Sequence, residues 1–540
     1  MNQHTSALVL TPTRLTILSA LFLTLTANLT FFKEVTHVYS RAENAGFIVS
    51  LSVLLFMSLV VLISIIRLLV PARFTVTIML IIGVTSAYFT DQYGTVIDSS
   101  MLRNMLETNV SEANDLMSGA FWMRLGLFGA IPIALVWMLP WKHKHFITET
   151  RYTLQTGIAA FAIMLICIFS FSEHYASFFR EHKLLRFYTN PAYPIYSAGI
   201  LLAKVTSSNA SQSFTKIAES ANIPPQDIHR ELVILVVGET ARADHWSLNG
   251  YPRNTTPELS KLHQEGSLIN FSQVASCGTS TAISVPCMFS FTPKSDFDVE
   301  QAHQTENVLD IIAKAGVSVL WRDNNSNSKG VADRVEYVSY RSPDVNTLCD
   351  IECRDTGMLV GLQTYIDQQA NDILIVLHQM GSHGPAYFKR YPAAFERFTP
   401  VCKSAELSSC SQEEIINAYD NTILYTDHFL AETVRLLKNN NQRYETTLVY
   451  MSDHGESLGE DGVYLHGMPY LFAPDAQTHV PFMIWAGEHS DVDVEQSQTM
   501  RDKPTSQDNL SFTLFSLFEL ASDMSATPLP AQYISKENYE

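Results

Sequence analysis

ELVILVVGE, residues 231–239, is an unbroken apolar run held between two glutamates, with a glycine before the second. A run this short and this uniform fits a strand buried on both faces of a parallel sheet; a half-exposed strand would alternate. VSVLWRDNN (317–325), DILIVLHQMGSHG (372–384) and TTLVYMSDHGES (446–457) follow the same plan, and helical stretches at 306–315, 412–438 and 507–521 lie between and after them. Strands alternating with helices predict an α/β sandwich. Such folds bind ligands beyond the carboxyl ends of their strands. Here those ends carry Glu239, Asn325, His383, Asp453 and His454.

The first third of the chain is of another kind. Five segments, about 14–32, 46–70, 74–90, 121–140 and 152–172, have the length and apolarity of membrane spans. A signal peptide is the alternative for the first, but four spans follow it and no small-residue cleavage site stands out. Arg14, Arg67, Arg73, Lys142, Lys144 and Arg151 lie at the N-terminus and in the second and fourth connections. Basic residues mark the cytoplasmic side, so five spans put the remainder outside the cytoplasm. Arg180, Lys183 and Arg186 follow the fifth span and run against that count; outside, they would meet anionic headgroups. The expected organisation is a transmembrane domain over 1–172, an interfacial helix and linker over 173–229, and a catalytic domain over 230–540.

Charge and cysteines narrow the class further. The formal net charge is −18 and no basic patch interleaved with aromatics occurs, which argues against a nucleic-acid partner. Cys167 lies inside the fifth span, and the other six cysteines form three close pairs: Cys277 with Cys287, Cys349 with Cys353, and Cys402 with Cys410. Local pairs in an exported domain read as disulfides. Metal thiolates are the alternative, though no CxxC spacing occurs. Between the third and fourth spans, Asn104, Thr108 and Glu112 recur every four residues on one helix face, which from spacing alone is either a solvated face or a binding one.

The strand-end residues suggest chemistry in combination. Singly, Glu239 reads as a helix cap and Asp453-His454 as a turn. Together they offer two carboxylates and an imidazole at one sheet edge, a set that suits Zn²⁺ with one position open. SCGTSTAISVPCMFS (276–290) adds small residues and a hydroxyl, Thr281, at the expected start of a short helix. A helix N-terminus favours a phosphoryl oxygen, and a metal activates an alcohol that is otherwise a poor nucleophile. Thr281 could also be only a cap, and Thr279 and Ser280 compete for the nucleophile's role.

GETAR (238–242), SCGTSTAISVPCMFS, WRDNNSNSKG (321–330), HQMGSHGPAYFKRY (378–391) and SDHGESLGEDGVYLHG (452–467) resemble the signature segments of membrane phosphoethanolamine–lipid A transferases, in particular the mobile colistin resistance branch. The resemblance covers nearly the whole chain and implies the alkaline phosphatase/sulfatase type of α/β domain behind five transmembrane helices. It implies that Glu239, Thr281, Asp453 and His454 hold a catalytic zinc and that Thr281 becomes the covalent carrier. His383 and His466 would bind the phosphoryl group, assist proton transfer or hold a further zinc. Asn325, Ser326 and Lys329 would lie near the phosphoethanolamine, and Asn104, Thr108 and Glu112 beside the lipid headgroup. The implied donor is phosphatidylethanolamine, the acceptor a lipid A phosphate, the location the bacterial inner membrane with the enzyme domain in the periplasm, and the state a monomer. The expected outcome is lowered surface charge and resistance to polymyxin and colistin.

Rival readings use the same residues. A sulfatase or phosphatase would let water take the acceptor's place, but no formylglycine-type C/S-x-P-x-R string surrounds Thr281. A phosphoglycerol transferase shares the layout of spans and threonine. A membrane-anchored zinc or lipid sensor would need no activated hydroxyl.

Overall fold

The structure is a computed structural model, which describes residues 11–108, 110–140, 145–208, 214–225, 227 and 229–522, the side chains of 110–112 and 207–208 excepted. Lys142 and Lys144, used above for orientation, lie outside these residues, as do the Glu112 side chain and part of the linker. The chain divides into two compact units, residues 1–102 with 117–202, and residues 103–116 with 203–540.

The first unit is helical. Ala45–Ile66, Ala72–Tyr93, Gly119–Met138 and Phe146–Ser170 are each long and apolar enough to cross a membrane. The expected first span is a bent pair, Pro12–Thr26 and Leu29–Val38, meeting at 59°. Asn28 explains the bend. It is buried, its amide donates to the carbonyls of Leu23 (3.0 Å) and Asn190 (2.8 Å), and its side-chain oxygen accepts from the Asn190 N–H (2.8 Å). A polar side chain thus satisfies the backbone that the break frees. Two arginines show which helix ends share a side. Arg67 donates to Thr16 Oγ1 (2.7 Å) and pairs with Glu149 (3.4 Å), and Arg73 donates to the Leu139 carbonyl (2.8 Å). The start of the first helix, the second connection, the end of the fourth span and the start of the last span therefore lie on one side. With the bent pair counted as one span, the chain leaves the last span on the opposite side. Beyond it follow the helices Ser172–Glu181, Lys183–Phe187 and Ala192–Ser208.

The second unit is built on a seven-stranded sheet of β1 (Glu231–Gly238), β2 (Leu268–Phe271), β3 (Ser318–Asp323), β4 (Glu336–Ser339), β5 (Ile373–His378), β6 (Glu445–Ser452) and β7 (Phe482–Ala486), in the order β2-β7-β6-β1-β5-β3-β4. The four strands read from the sequence form its parallel centre with β4 beside them, while β7 runs against its neighbours β6 and β2. Every residue of β1 is buried, and alternate side chains enter two separate cores: Val233, Leu235 and Val237 on one face, Leu232, Ile234 and Val236 on the other. This is why the run lacks polar alternation. Each such side chain contributes roughly 1.5–3 kcal/mol by leaving water. The three cysteine pairs are disulfides, Cys277–Cys287, Cys349–Cys353 and Cys402–Cys410, and Cys167 is free.

Register sets the site. Gly238 pairs with Ser452, so Glu239 and Asp453 leave adjacent strands side by side. Val237 and Asp323 both pair with His378, which brings the segments leading to Asn325 and His383 to the same edge.

Candidate active site

Four buried side chains meet at the carboxyl edge of the sheet. Thr281 Oγ1 donates toward Glu239, 3.3 Å from Oε1 and 3.2 Å from Oε2, and lies 3.3 Å from His454 Nε2. His454 Nε2 is 3.6 Å from Glu239 and 3.2 Å from Asp453 Oδ2. The His454 Nδ1 faces the Gly455 carbonyl at 2.9 Å, and a carbonyl only accepts, so Nδ1 carries the proton. Burial pushes the imidazole down to about 4, more than nearby Asp453 raises it, so Nε2 presents a lone pair at neutral pH. Ligand atoms of Glu239, Asp453 and His454 all fall within 4.8 Å of one another.

The donor set fits a metal ion. Asp453 Oδ1 accepts from the N–H groups of Thr240 (3.2 Å) and His454 (2.7 Å), but the buried Oδ2 has no hydrogen-bond partner among the described residues. An orphaned carboxylate oxygen facing a neutral imidazole is costly unless a cation joins them. Two carboxylates and an imidazole match a divalent site of borderline hardness.

Local sequence explains how these groups are held. Thr281 is the first residue of the helix Thr281–Met288, with Ser280 as its N-cap. The rival hydroxyl of Thr279 is spent on the Met468 carbonyl (2.7 Å). Of the two threonines, only Thr281 reaches Glu239 and His454. Gly381, at φ +52°, lets its loop cross the Glu239 backbone: a Cβ there would meet the Glu239 carbonyl oxygen at 2.8 Å. Thr240, Lys329 and Leu465 adopt left-handed backbone at φ 51°, 50° and 65°. Non-glycine residues avoid that region, and all three lie at or beside site residues, where surrounding structure sustains the strain.

Asn325 Nδ2 donates to Glu239 Oε2 (2.6 Å) and to the Gln379 carbonyl (2.8 Å), so its amide orients the carboxylate. Ser326 follows it, partly buried. The His466 ring lies 4.4 Å from His454 and 5.4 Å from His383, centroid to centroid. Lys329 is buried and pairs with Glu107 at 3.7 Å. Asn104 and Thr108 are partly buried, with Thr108 Oγ1 donating to the Asn104 carbonyl (2.7 Å).

Several supporting residues escaped the sequence reading. Glu456, fully buried, takes His466 Nδ1 on one oxygen (2.8 Å) and the Tyr387 hydroxyl on the other (2.7 Å). Burial and the Glu456 charge hold the Tyr387 phenol well above its ordinary range, so it stays a donor. His466 therefore has its Nδ1 committed, an arrangement that fixes a tautomer. Gln507 joins β6 to the threonine loop: its amide donates to the carbonyls of Ser452 and Asp453 (both 2.7 Å) and its oxygen accepts from the Cys277 N–H (2.6 Å). Asp355 accepts from the N–H groups of Met380 (2.9 Å) and Gly381 (3.1 Å) and from Asn324 Nδ2 (2.8 Å), tying two strand ends together. Glu456 stood within SDHGES, two residues past His454; Gln507 and Asp355 gave no local signal.

Both parts of the chain resemble known proteins. Residues 231–520 match the Sulfatase family and residues 55–205 the family of phosphoethanolamine transferases EptA/EptB. The chain is 44% identical to the phosphatidylethanolamine transferase Mcr-1 of Escherichia coli, over 97% of this chain and 98% of that one. The integral membrane lipooligosaccharide phosphoethanolamine transferase A (EptA) of Neisseria meningitidis superposes with a TM-score of 0.89 at 32% identity, covering 94% of this chain and 96% of that one. The C-terminal periplasmic domain of phosphoethanolamine transferase EptC from Campylobacter jejuni gives 0.52 at 40% identity, covering 58% of this chain and 95% of that one. Like them, this is a bacterial inner-membrane protein whose enzyme domain faces the periplasm. With both halves matched in one chain, and a hydroxyl, two carboxylates and an imidazole gathered at the sheet edge, the protein belongs to the EptA-type phosphoethanolamine transferases of the alkaline phosphatase/sulfatase superfamily.

Proposed function

We propose that this protein is a zinc-dependent enzyme that moves phosphoethanolamine from phosphatidylethanolamine to a lipid A phosphate through a covalent Thr281 intermediate. The observation that carries the reading is the Thr281 hydroxyl, 3.2–3.3 Å from Glu239 and His454 and placed at a helix N-terminus. In this reading residues 1–172 anchor the enzyme, 173–229 join, and 230–540 catalyse. Tethering to the bilayer raises the effective concentration of lipid substrates.

Glu239, Asp453 and His454, with Thr281, would hold the zinc ion. A bound Zn²⁺ supplies positive charge that lowers the proton affinity of the threonine alcohol and offsets charge on phosphoryl oxygens. The Thr281 oxygen attacks phosphorus, its proton passing toward the Glu239 carboxylate. The bond from phosphorus to the diacylglycerol oxygen breaks, and His466 or His383 gives that oxygen a proton. Glu456 keeps the His466 ring oriented for this transfer. Lys329 balances charge on the non-bridging oxygens. Asn325 and Ser326 line the headgroup side, as do Asn104, Thr108 and Glu112 of the segment before the fourth span. In the second half, an oxygen of the lipid A phosphate attacks phosphorus, and Thr281 leaves and regains a proton. The product is a diphosphate, its new P–O–P bond joining the lipid A phosphate to the phosphoethanolamine, and it ends in an ammonium group, which weakens attraction for cationic peptides such as polymyxin and colistin.

Mass spectrometry of lipid A from cells expressing the wild type or Thr281→Ala tests this. An added phosphoethanolamine is expected only with the wild type. Intact-protein mass after incubation with phosphatidylethanolamine should show the covalent adduct; a modification that persists in Thr281→Ala would sink the reading.

A further inference from the structure

The segment 103–116, which precedes the fourth membrane helix in sequence, packs as part of the second compact unit. Three of its charged side chains are paired there. Arg103 pairs with Glu300. Glu107 receives Lys329 on its carboxylate (3.7 Å) and on its carbonyl (3.4 Å). Asp115 receives Lys389 (2.5 Å) and Arg390 (3.5 Å).

The last two contacts differ from ordinary surface ion pairs, which contribute little. Lys329 and Arg390 are each only 3% exposed, so their charges depend on the partners they have. Each also leads to the substrate side of the site. Arg390 Nε donates to the His383 carbonyl (2.6 Å), and Glu352 takes another edge of the guanidinium. Asp115 is thus one side chain away from the backbone that carries His383. Glu107 directly holds the Lys329 ammonium, whose backbone is in the left-handed region.

We propose that Asp115 and Glu107 are positioning residues for the transfer: Asp115 fixes the His383 loop through Arg390, and Glu107 aims Lys329. The proposal rests on the reading of His383 and Lys329 as substrate-side groups. It gives the segment, which runs through the two helices Ser99–Glu107 and Val110–Leu116 with Thr108 outside both, a task separate from the headgroup role read for Asn104, Thr108 and Glu112. Groups misplaced by about 1 Å cost turnover far out of proportion to the stability involved.

The test uses the full chain in mixed micelles with phosphatidylethanolamine and lipid A, measuring kcat and KM. Asp115→Asn should lower kcat about tenfold with little change in KM, in protein that remains folded at the assay temperature. Asp115→Glu should recover most of that loss. In a His383→Ala background, Asp115→Asn should add nothing, since both act through one group. Glu107→Gln should raise KM for phosphatidylethanolamine by about tenfold, and should add nothing to Lys329→Ala. Wild-type kinetics in Asp115→Asn and Glu107→Gln, or losses that multiply with those of His383→Ala and Lys329→Ala, overturn the proposal and leave the site reading intact. If the His383→Ala rate falls below detection, rescue by Asp115→Glu decides, and failure to rescue overturns the Asp115 role. Full turnover in both His383→Ala and Lys329→Ala would instead remove the site reading and this proposal with it.

Discussion

The Thr281 hydroxyl lies 3.3 Å from Nε2 of His454, a nitrogen that carries no proton at neutral pH. Thr281→Ala removes the hydroxyl together with one methyl group, and of the two only the hydroxyl can act as a nucleophile. Thr281→Ala should lower turnover by at least about 10³-fold, the scale on which a covalent nucleophile is lost. Thr281→Ser keeps the oxygen and should retain measurable transfer and the covalent adduct. Circular dichroism should match the wild type in both, since the Thr281 hydroxyl faces Glu239 and His454 and not the helix backbone.

Asp453 Oδ2, buried and without a hydrogen bond among the described residues, marks where a cation would be most stabilising. Ligand binding to the folded state alone adds about 2.7 kcal/mol at a hundredfold excess over Kd. Zinc added to chelator-treated protein should therefore raise the melting temperature by several degrees. Asp453→Asn and Glu239→Gln should abolish that rise and lower zinc content measured by plasma mass spectrometry. A wild-type zinc response in both variants would place the metal elsewhere.

Gln507 joins the end of β6 to the loop that presents Thr281. Gln507→Leu removes three hydrogen bonds and leaves two carbonyls and an N–H buried. The expected cost is about 3 kcal/mol in denaturant unfolding. Turnover should fall even in the fraction that remains folded, because Thr281 and Asp453 lose their common brace. Unchanged turnover would show that the disulfide Cys277–Cys287 holds the loop without it.

What was legible in the sequence follows the length scale of each interaction. The runs at 231–238 and 445–452 announced themselves because both faces of those strands are buried, and their ends delivered Glu239, Asp453 and His454. β2 and β7, only four and five residues long, offered too little pattern to find, so the sheet's antiparallel neighbour was missed. The bend at Asn28 depends on Asn190, 162 residues away, and no local rule could supply it. Gln507 and Asp355 are invisible for the same reason: their partners are distant backbone groups. Glu107 and Asp115 are invisible for that reason too: Lys329 and Lys389 lie 222 and 274 residues further along the chain.

At the opposite end of the sheet, Glu231 and Glu445 start adjacent strands in register. Burial, then the charge of Asp491, pushes Glu445 up to about 7 from its ordinary 4.5, although His229 at 3.1 Å opposes the shift. Burial and Glu445, with Asp491, Asp372 and Asp227 beyond, hold Glu231 well above its usual range. A carboxyl whose folded pKa is raised prefers its proton in the native state. Below pH 4.5 it is protonated whether folded or not and carries no penalty; above about 7 it is ionised in both, and the native state bears the cost. Stability should therefore fall as pH rises from 4.5 through about 7, and Glu231 should extend the decline further. Glu445→Gln removes one ionisation and keeps the shape. It should raise the melting temperature at pH 8 by about 2–4 °C and leave it unchanged at pH 4.5, flattening the profile between. A variant that is less stable than the wild type at pH 8 would mean that the ionised Glu445 is stabilised by His229 more than it is burdened by its neighbours.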